Sequence, residues 1–208
     1  MINYKIHLLR CGSTAQRMRG CYVGQQNYPL CDAGISALHE FREHFRYPYA
    51  NIVFTSPLSR CVETAEILYP DHYIVPIAEF ADLSLGEFEG HSPDQLMGNP
   101  DFEAWIQNSL ENPPPGGEKL EAFTARVVAA LEAIFNRMMQ ERITDIAIIT
   151  HAGVIMALLA SIGLPELPPD EWLCENGCGF TLLMTPQMWM RSRCGEVYER
   201  IPGQQIEH

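Results

Sequence analysis

The chain has 208 residues, enough for one domain with a large core. Hydrophobic residues make up 47% and charged residues 19%, which excludes a disordered or fibrous polypeptide. The formal net charge of -12 excludes nucleic acid and anionic membrane as expected partners, and means that any phosphate site must be a local cluster of cations.

Residues Tyr4 to Arg10 read as a strand, with Ile6, Leu8 and Leu9 apolar, and the polar stretch Gly12 to Gly24 reads as a loop. Asp32 is the expected N-cap of a helix through Phe45, with Ile35, Leu38, Phe41 and Phe45 on one face. Ile52 to Thr55 has the pattern of a short buried strand. Ser56-Pro57 then reads as an N-cap with proline at the first helical position, opening a helix to about Leu68. From Ala78 to Gly117 the sequence is rich in Pro, Gly, Asp and Asn and ends in Pro113-Pro114-Pro115-Gly116-Gly117. This reads as a cap-type insertion over a site, with short helices, one around Phe102 to Gln107. Phe88, Leu96, Phe102 and Trp105 give it something to pack. Leu120, Phe123, Val127, Leu131, Ile134 and Met138 recur at helical spacing, predicting a long helix from about Glu118 to Met139. Ile146 to Thr150 reads as a buried strand, followed by His151 and a helix to about Ile162. Phe180 to Met184 and Gln187 to Arg191 read as the last strands.

Strands alternating with helices predict an α/β fold: a three-layer sandwich with a mostly parallel sheet and helices on both faces, forming one domain over 1–208 with the insertion at 78–117. The N-terminus MINYKIHLLR has no basic region followed by a long apolar run, and no apolar stretch is long enough to span a bilayer. The 7 cysteines are therefore expected as reduced thiols in a cytoplasmic protein. Cys174 and Cys178 lie four apart, but no paired Cys or His cluster completes a zinc site, so no metal is expected.

In parallel sheets, ligands sit beyond the carboxyl ends of the strands. Three notable groups fall at such ends: Arg10-Cys11, Ser56 to Arg60, and Thr150-His151. Two guanidinium forks and an imidazole at one sheet edge suit a phosphate monoester, because the planar fork matches phosphate oxygens bidentately. Helix N-termini near Ser56 and His151 would add backbone donors.

The segments carrying these groups resemble the motifs of the histidine phosphatase superfamily, whose fold is that of the phosphoglycerate mutases. Leu9-Arg10-Cys11-Gly12-Ser13-Thr14 is similar to its Leu-x-Arg-His-Gly-Glu-Thr signature, with Gly24, Pro29-Leu30 and Gly34 following in place. Ser56-Pro57-Leu58-Ser59-Arg60 with Glu63-Thr64-Ala65 resembles its second arginine motif. The stretch from Asp82 through Leu85-Gly86 to Glu89-Gly90 resembles its Glu-x-x-x-Gly-x-x-Glu-Gly segment. Pro115-Gly116-Gly117-Glu118, Thr150-His151-Ala152-Gly153-Val154 and Asn176-Gly177 complete the ordered set. The resemblance implies a phosphatase that needs no cofactor or metal. Arg10, Arg60 and His151 would hold the phosphoryl oxygens, and Asp82, where the family has Glu, would protonate the leaving oxygen. Ser13, Thr14 and Arg17 become candidate substrate contacts. Ser13 replaces the signature Glu, and Arg17 stands where the family often has Asn. The expected partner is a small phosphorylated molecule or inorganic phosphate, and the resemblance leaves room for a homodimer.

Cys11 stands where the resemblance implies the nucleophilic histidine. From bond lengths, a thiol sulfur would fall short of the attacking imidazole nitrogen by roughly 2 Å, and a misplacement of about 1 Å already costs on the order of a hundredfold in rate. A thiolate would also add negative charge beside a phosphate dianion, and in an electropositive pocket it is oxidisable. The spacing Cys11 to Arg17 also resembles the short signature of the cysteine phosphatases, within a loop that matches the first family better. Three readings remain open: a phosphomonoesterase of altered or reduced activity, a pseudoenzyme that binds or senses a phosphorylated ligand, and an ordinary enzyme into which Cys11 has been introduced.

Overall fold

The structure, a computed structural model, describes residues 2–203. Its sheet grows outward from β1 (Tyr4–Arg10), whose Ile6, Leu8 and Leu9 are fully buried, as a strand covered on both faces requires. The other strands are β2 (Ile52–Thr55), β3 (Ile74–Pro76), β4 (Asp145–Thr150), β5 (Gly163–Leu164), β6 (Gly179–Met184) and β7 (Gly195–Ile201). They form one 7-stranded sheet in the order β3-β2-β4-β1-β6-β7-β5. The run from β3 to β1 is parallel; β6 pairs antiparallel with β1 and with β7, and β5 parallel with β7.

The two-residue period of the strands divides the core into two layers. Ile6 and Leu8 of β1, Phe54 of β2 and Ile146 and Ile148 of β4 face one cluster. Leu9, Val53, Ala147 and Ile149 face the other. The first layer is covered by α6 (Leu120–Glu141), through Phe123, Val127, Leu131 and Phe135, and by α7 (Ala152–Ile162). The second is covered by α2 (Asp32–His44) through Leu38 and α3 (Ser59–Leu68) through Cys61, Ala65 and Leu68. The result is a three-layer α/β sandwich. The shorter helices are α1 (Ala15–Met18), α4 (Pro93–Leu96), α5 (Pro100–Gln107) and α8 (Pro186–Ser192).

Four expectations change. The segment Gln187 to Arg191 is not a strand but part of α8, whose start is fixed by Thr185 accepting the Met188 N–H (3.2 Å), with a proline in its first turn. Trp189 of this helix packs on Phe135 at 5.5 Å, and the last strand is β7. Helix α3 begins at Ser59, after Leu58, and not at Ser56, whose hydroxyl faces the imidazole of His151. Asp32 lies inside α2, in its first turn, with Cys31 as the N-cap; a carboxylate there favours the helix by its charge at the positive end of the dipole. The loop after β1 contains the short helix α1, N-capped by Thr14. The edge strands β3 and β5 are only 3 and 2 residues long, too short to leave a periodic signal.

Residues 78–117 leave the sheet and pack on themselves. Leu85, Phe88, Leu96 and Phe102 form a third cluster, with Tyr22 and Trp105 against it. The excursion is fastened where it returns: Glu87 N–H donates to Pro115 O (3.0 Å), and Glu118 N–H to Ser84 O (2.9 Å). Arg126 of α6 binds the carbonyls of Ala81 and Asp82 (both 2.9 Å) and pairs with the Glu118 carboxylate. Gly86 makes the crossing with φ +51, and a Cβ there would lie 2.1 Å from Pro115 O. Gly86→Ala is therefore expected to cost roughly 1–3 kcal/mol in denaturant unfolding; an unchanged midpoint would show that this crossing is not held tight.

Candidate active site

Because β1, β4 and β2 are parallel neighbours, their carboxyl ends align, with Arg10 level with Thr150 and Thr55 level with Ile149. The chain then hydrogen-bonds across the edge: Cys11 N–H donates to Thr150 O (2.8 Å) and Ser56 N–H to Ile149 O (2.9 Å). These strand ends place Arg10, Cys11 and His151 together. Helix α3 adds Arg60, and the excursion adds Asp82. All five line one cavity of about 250 Å³. Thr14 and Arg17 also line it, whereas Ser13 does not; the Ser13 carbonyl instead accepts the Cys31 N–H (3.0 Å). Ala152 and Gly153, the first turn of α7, form part of the wall. The start of α3 is engaged elsewhere, for the Ser59 N–H is held by Asn27 Oδ1 at 2.7 Å.

Arg60 is 3% exposed. Its guanidinium donates to Gly24 O (2.7 Å) and Gln26 O (2.9 Å), and one nitrogen lies 3.8 Å from Asp82 Oδ2. That carbonyl-bearing loop is itself pinned by buried Glu89, whose carboxylate accepts the N–H groups of Gln25 and Gln26 (2.8 Å each) and Leu85 (2.9 Å). Glu89 therefore sets Arg60 through the backbone between them. Arg10 is half-buried and donates to the carbonyl of Cys174; Asn176 donates to the carbonyl of Cys11 (2.6 Å) and Gly177 N–H to that of Arg10 (2.9 Å). The 174–178 loop thus braces the end of β1.

His151 is buried, with Nε2 2.8 Å from Ser56 Oγ. Around Nδ1 lie Asp82 Oδ2 at 3.6 Å and Cys11 Sγ at 3.8 Å. A second thiol, Cys61, contacts the same ring, at 3.5 Å from Nε2 and 3.8 Å from Nδ1. The Cys11 thiol is held well below its usual range, first by the hydrogen bond from Cys61. The hydrogen bond and charge of His151 and the charge of Arg60 add to this, against the opposing effect of burial. Cys61 is pushed well above its usual range by burial, with the hydrogen bond to Cys11 next. Burial raises Asp82, outweighing the attraction of His151 and Arg60. The arrangement therefore sets a thiol shifted toward ionisation beside a carboxyl shifted toward keeping its proton.

Sequence reasoning brought Arg10, Cys11, Arg60, Asp82 and His151 to one place but missed three residues. Cys61 follows Arg60 directly, yet a cysteine on an apolar helix face reads as core. Ser56 has the pattern of a helix cap, but its hydroxyl faces His151 Nε2. Glu89 sits in a recognised segment, but nothing in its spacing shows which loop it anchors.

The sheet and its two helical layers form a three-layer α/β sandwich with a cavity at the carboxyl edge of the strands. A profile of the histidine phosphatase superfamily (branch 1) matches residues 6–193, and the chain belongs to that family. It is 26% identical over 185 residues to an adenosylcobalamin/alpha-ribazole phosphatase of Salmonella typhimurium, covering 84% of this chain and 87% of the relative. It is 27% identical over 186 residues to an uncharacterised phosphatase, PhoE, of Bacillus subtilis, covering 88% and 89%. The solved alpha-ribazole phosphatase of Shigella flexneri superposes with a TM-score of 0.77 at 22% identity, covering 98% of this chain and 100% of that one. A phosphoglycerate mutase of Bacillus anthracis does so with 0.74 at 15%, covering 95% and 92%. Among the described residues no helix is long and apolar enough to cross a membrane.

Two measurements check the electrostatics. Alkylation of Cys11 by iodoacetamide is expected to hold its rate between about pH 8 and pH 6, where an ordinary thiol slows about tenfold per unit; the ordinary slope at Cys11 would contradict an ionised sulfur. For Asp82, the folded-state value lies above the unfolded one. Its ionisation therefore opposes folding above the ordinary carboxylate range and costs nothing below it. Asp82→Asn is expected to raise the melting temperature at about pH 7 and leave it unchanged near pH 3. A fall at neutral pH would mean that the ion pairs outweigh burial.

Proposed function

We propose that this chain is a phosphomonoesterase for a small phosphorylated metabolite, its phosphate held by Arg10, Arg60 and His151 and its turnover reduced by Cys11. The observation that supports this most is the convergence of two guanidinium groups and a buried imidazole on one cavity at the carboxyl edge of the sheet, in a chain of this family. Only two of the five N–H groups of Arg60 are taken by the 24–26 loop, which leaves donors for phosphoryl oxygens. Asp82, with its proton favoured by burial, suits the role of acid to the leaving oxygen. Thr14 and Arg17, on the cavity wall, suit contacts to the rest of the substrate; Ser13 does not. The wall also carries Val23, Leu83, Leu85, Met156 and Leu173, which favours an ester with an apolar group beside the phosphate. The alpha-ribazole phosphatases among the relatives support a small phosphorylated metabolite as substrate. The fixed cations supply the charge stabilisation in this reading, which calls for no metal or cofactor.

Cys11 favours a second reading, a disabled enzyme that binds or senses its phosphorylated ligand. A thiolate presented to Arg60 and His151 competes with the phosphate dianion for the same charges.

Hydrolysis of p-nitrophenyl phosphate by the native chain, Cys11→His and Cys11→Ser, with phosphate affinity by calorimetry, separates the two. An inactive native chain, turnover gained in Cys11→His, and phosphate bound by all three means a binder or disabled enzyme. Turnover in the native chain that is lost in Cys11→Ser means that sulfur is the nucleophile. If none of the three binds phosphate, the phosphate reading fails. Arg60→Ala is expected to weaken phosphate binding on the order of 10–100-fold, the loss of a charge-assisted hydrogen bond; undiminished affinity would remove Arg60 from the site.

A further inference from the structure

Cys61 plays no part in the phosphate reading. It is fully buried and does not reach the cavity wall, yet its sulfur, that of Cys11 and a ring nitrogen of His151 all lie within 4.8 Å of one another. Cys11 lines the cavity and is reachable through it, whereas Cys61 is sealed behind. The backbone segments that carry them are already tied: Gly12 N–H donates to Thr64 Oγ1 at 2.9 Å, one helical turn beyond Cys61 on α3. Closing the remaining gap to a bond of about 2.05 Å needs side-chain rotation and backbone adjustment.

Two soft ligands and an imidazole also suggest a thiophilic metal, but the geometry disfavours it. A metal must lie in the ring plane, on the lone pair of one nitrogen. Cys61 Sγ is nearly equidistant from both nitrogens, at 3.5 and 3.8 Å, favouring neither lone pair, and Nε2 is already engaged by Ser56 Oγ at 2.8 Å.

We propose that Cys11 and Cys61 form an oxidisable dithiol: hydrogen peroxide entering the phosphate cavity oxidises Cys11, and Cys61 condenses with it to a disulfide. In the first step the Cys11 thiolate attacks one peroxide oxygen. The O–O bond breaks, hydroxide leaves and takes up a proton, and Cys11 becomes a sulfenic acid. In the second, the Cys61 sulfur attacks the sulfenic sulfur. The S–O bond breaks, and the leaving hydroxyl takes the Cys61 proton to depart as water, so two thiols and one peroxide give one disulfide and two waters. The division of labour fits the ionisation: Cys11 is the stronger acid and Cys61 keeps its proton until the second step. The nearby imidazole of His151 contacts both sulfurs and is placed to relay that proton. None of this depends on phosphate being bound or hydrolysed.

The test treats the fully reduced chain with hydrogen peroxide in slight molar excess, in chelator-containing buffer at neutral pH. Iodoacetamide in denaturant then blocks the remaining thiols before intact-mass and peptide analysis. The native chain is expected to lose two hydrogens, to give a Cys11–Cys61 cross-linked peptide with the other cysteines alkylated, and to recover with dithiothreitol. Cys61→Ala is expected to stop at a Cys11 sulfenic acid trapped by dimedone, and Cys11→Ala to react about tenfold more slowly or less, having lost its ionised thiol. Oxygen added at Cys11 while Cys61 of the native chain stays alkylatable would overturn the proposal. So would a cross-link confined to another pair, such as Cys174 and Cys178, or a metal ion retained by the native chain and lost in Cys61→Ala.

Discussion

The arrangement around Arg60 follows from the cost of burying a guanidinium. A charge taken out of water must be paired and hydrogen-bonded, and Arg60 is 3% exposed. The 24–26 loop turns two carbonyls inward to meet it, and buried Glu89 holds that loop by the N–H groups of Gln25 and Gln26 while also accepting that of Leu85. The excursion at 78–117 brings both Glu89 and Asp82, the nearest carboxylate to the guanidinium, and Arg126 and Gly86 fix its path. A long detour of the chain is thus needed to make one cation tolerable at the sheet edge, and that cation then has donors to spare for an anion.

The second constraint is the crowding of titratable groups around His151. Ser56 takes one ring nitrogen, and Asp82 and Cys11 share the other. In so small a space the protons cannot be placed independently. Ionising Cys11 favours keeping the proton on Asp82 and on Cys61. An ionised Cys11 competes with a phosphate dianion for Arg60 and His151.

Much of this was legible in the sequence. The buried strands β1, β2 and β4 announce themselves as short apolar runs, and the long amphipathic α6 by its spacing. Because they fix the sheet edge, Arg10, Cys11, Arg60 and His151 could be brought together from pattern alone. Asp82 came only through the family resemblance. What was not legible depended on contacts across the fold. Gln187 to Arg191 looks extended until Thr185-Pro186 is recognised as a helix start, and two- and three-residue edge strands have no period to detect. Ser56 carries a helix-cap pattern but is claimed by His151, a tertiary partner 95 residues away. Cys61 reads as core because it is core; its meaning comes from the other sulfur, on a distant strand end.

The central claim is that a phosphate dianion fits among Arg10, Arg60 and His151 even with Cys11 present. A crystal of the native chain soaked with tungstate, a tetrahedral dianion easily seen by its electrons, tests this most directly. The account predicts tungstate in the cavity, its oxygens bonded to the guanidinium groups of Arg10 and Arg60 and to His151. An empty cavity at saturating tungstate, or the anion bound elsewhere on the chain, would contradict it.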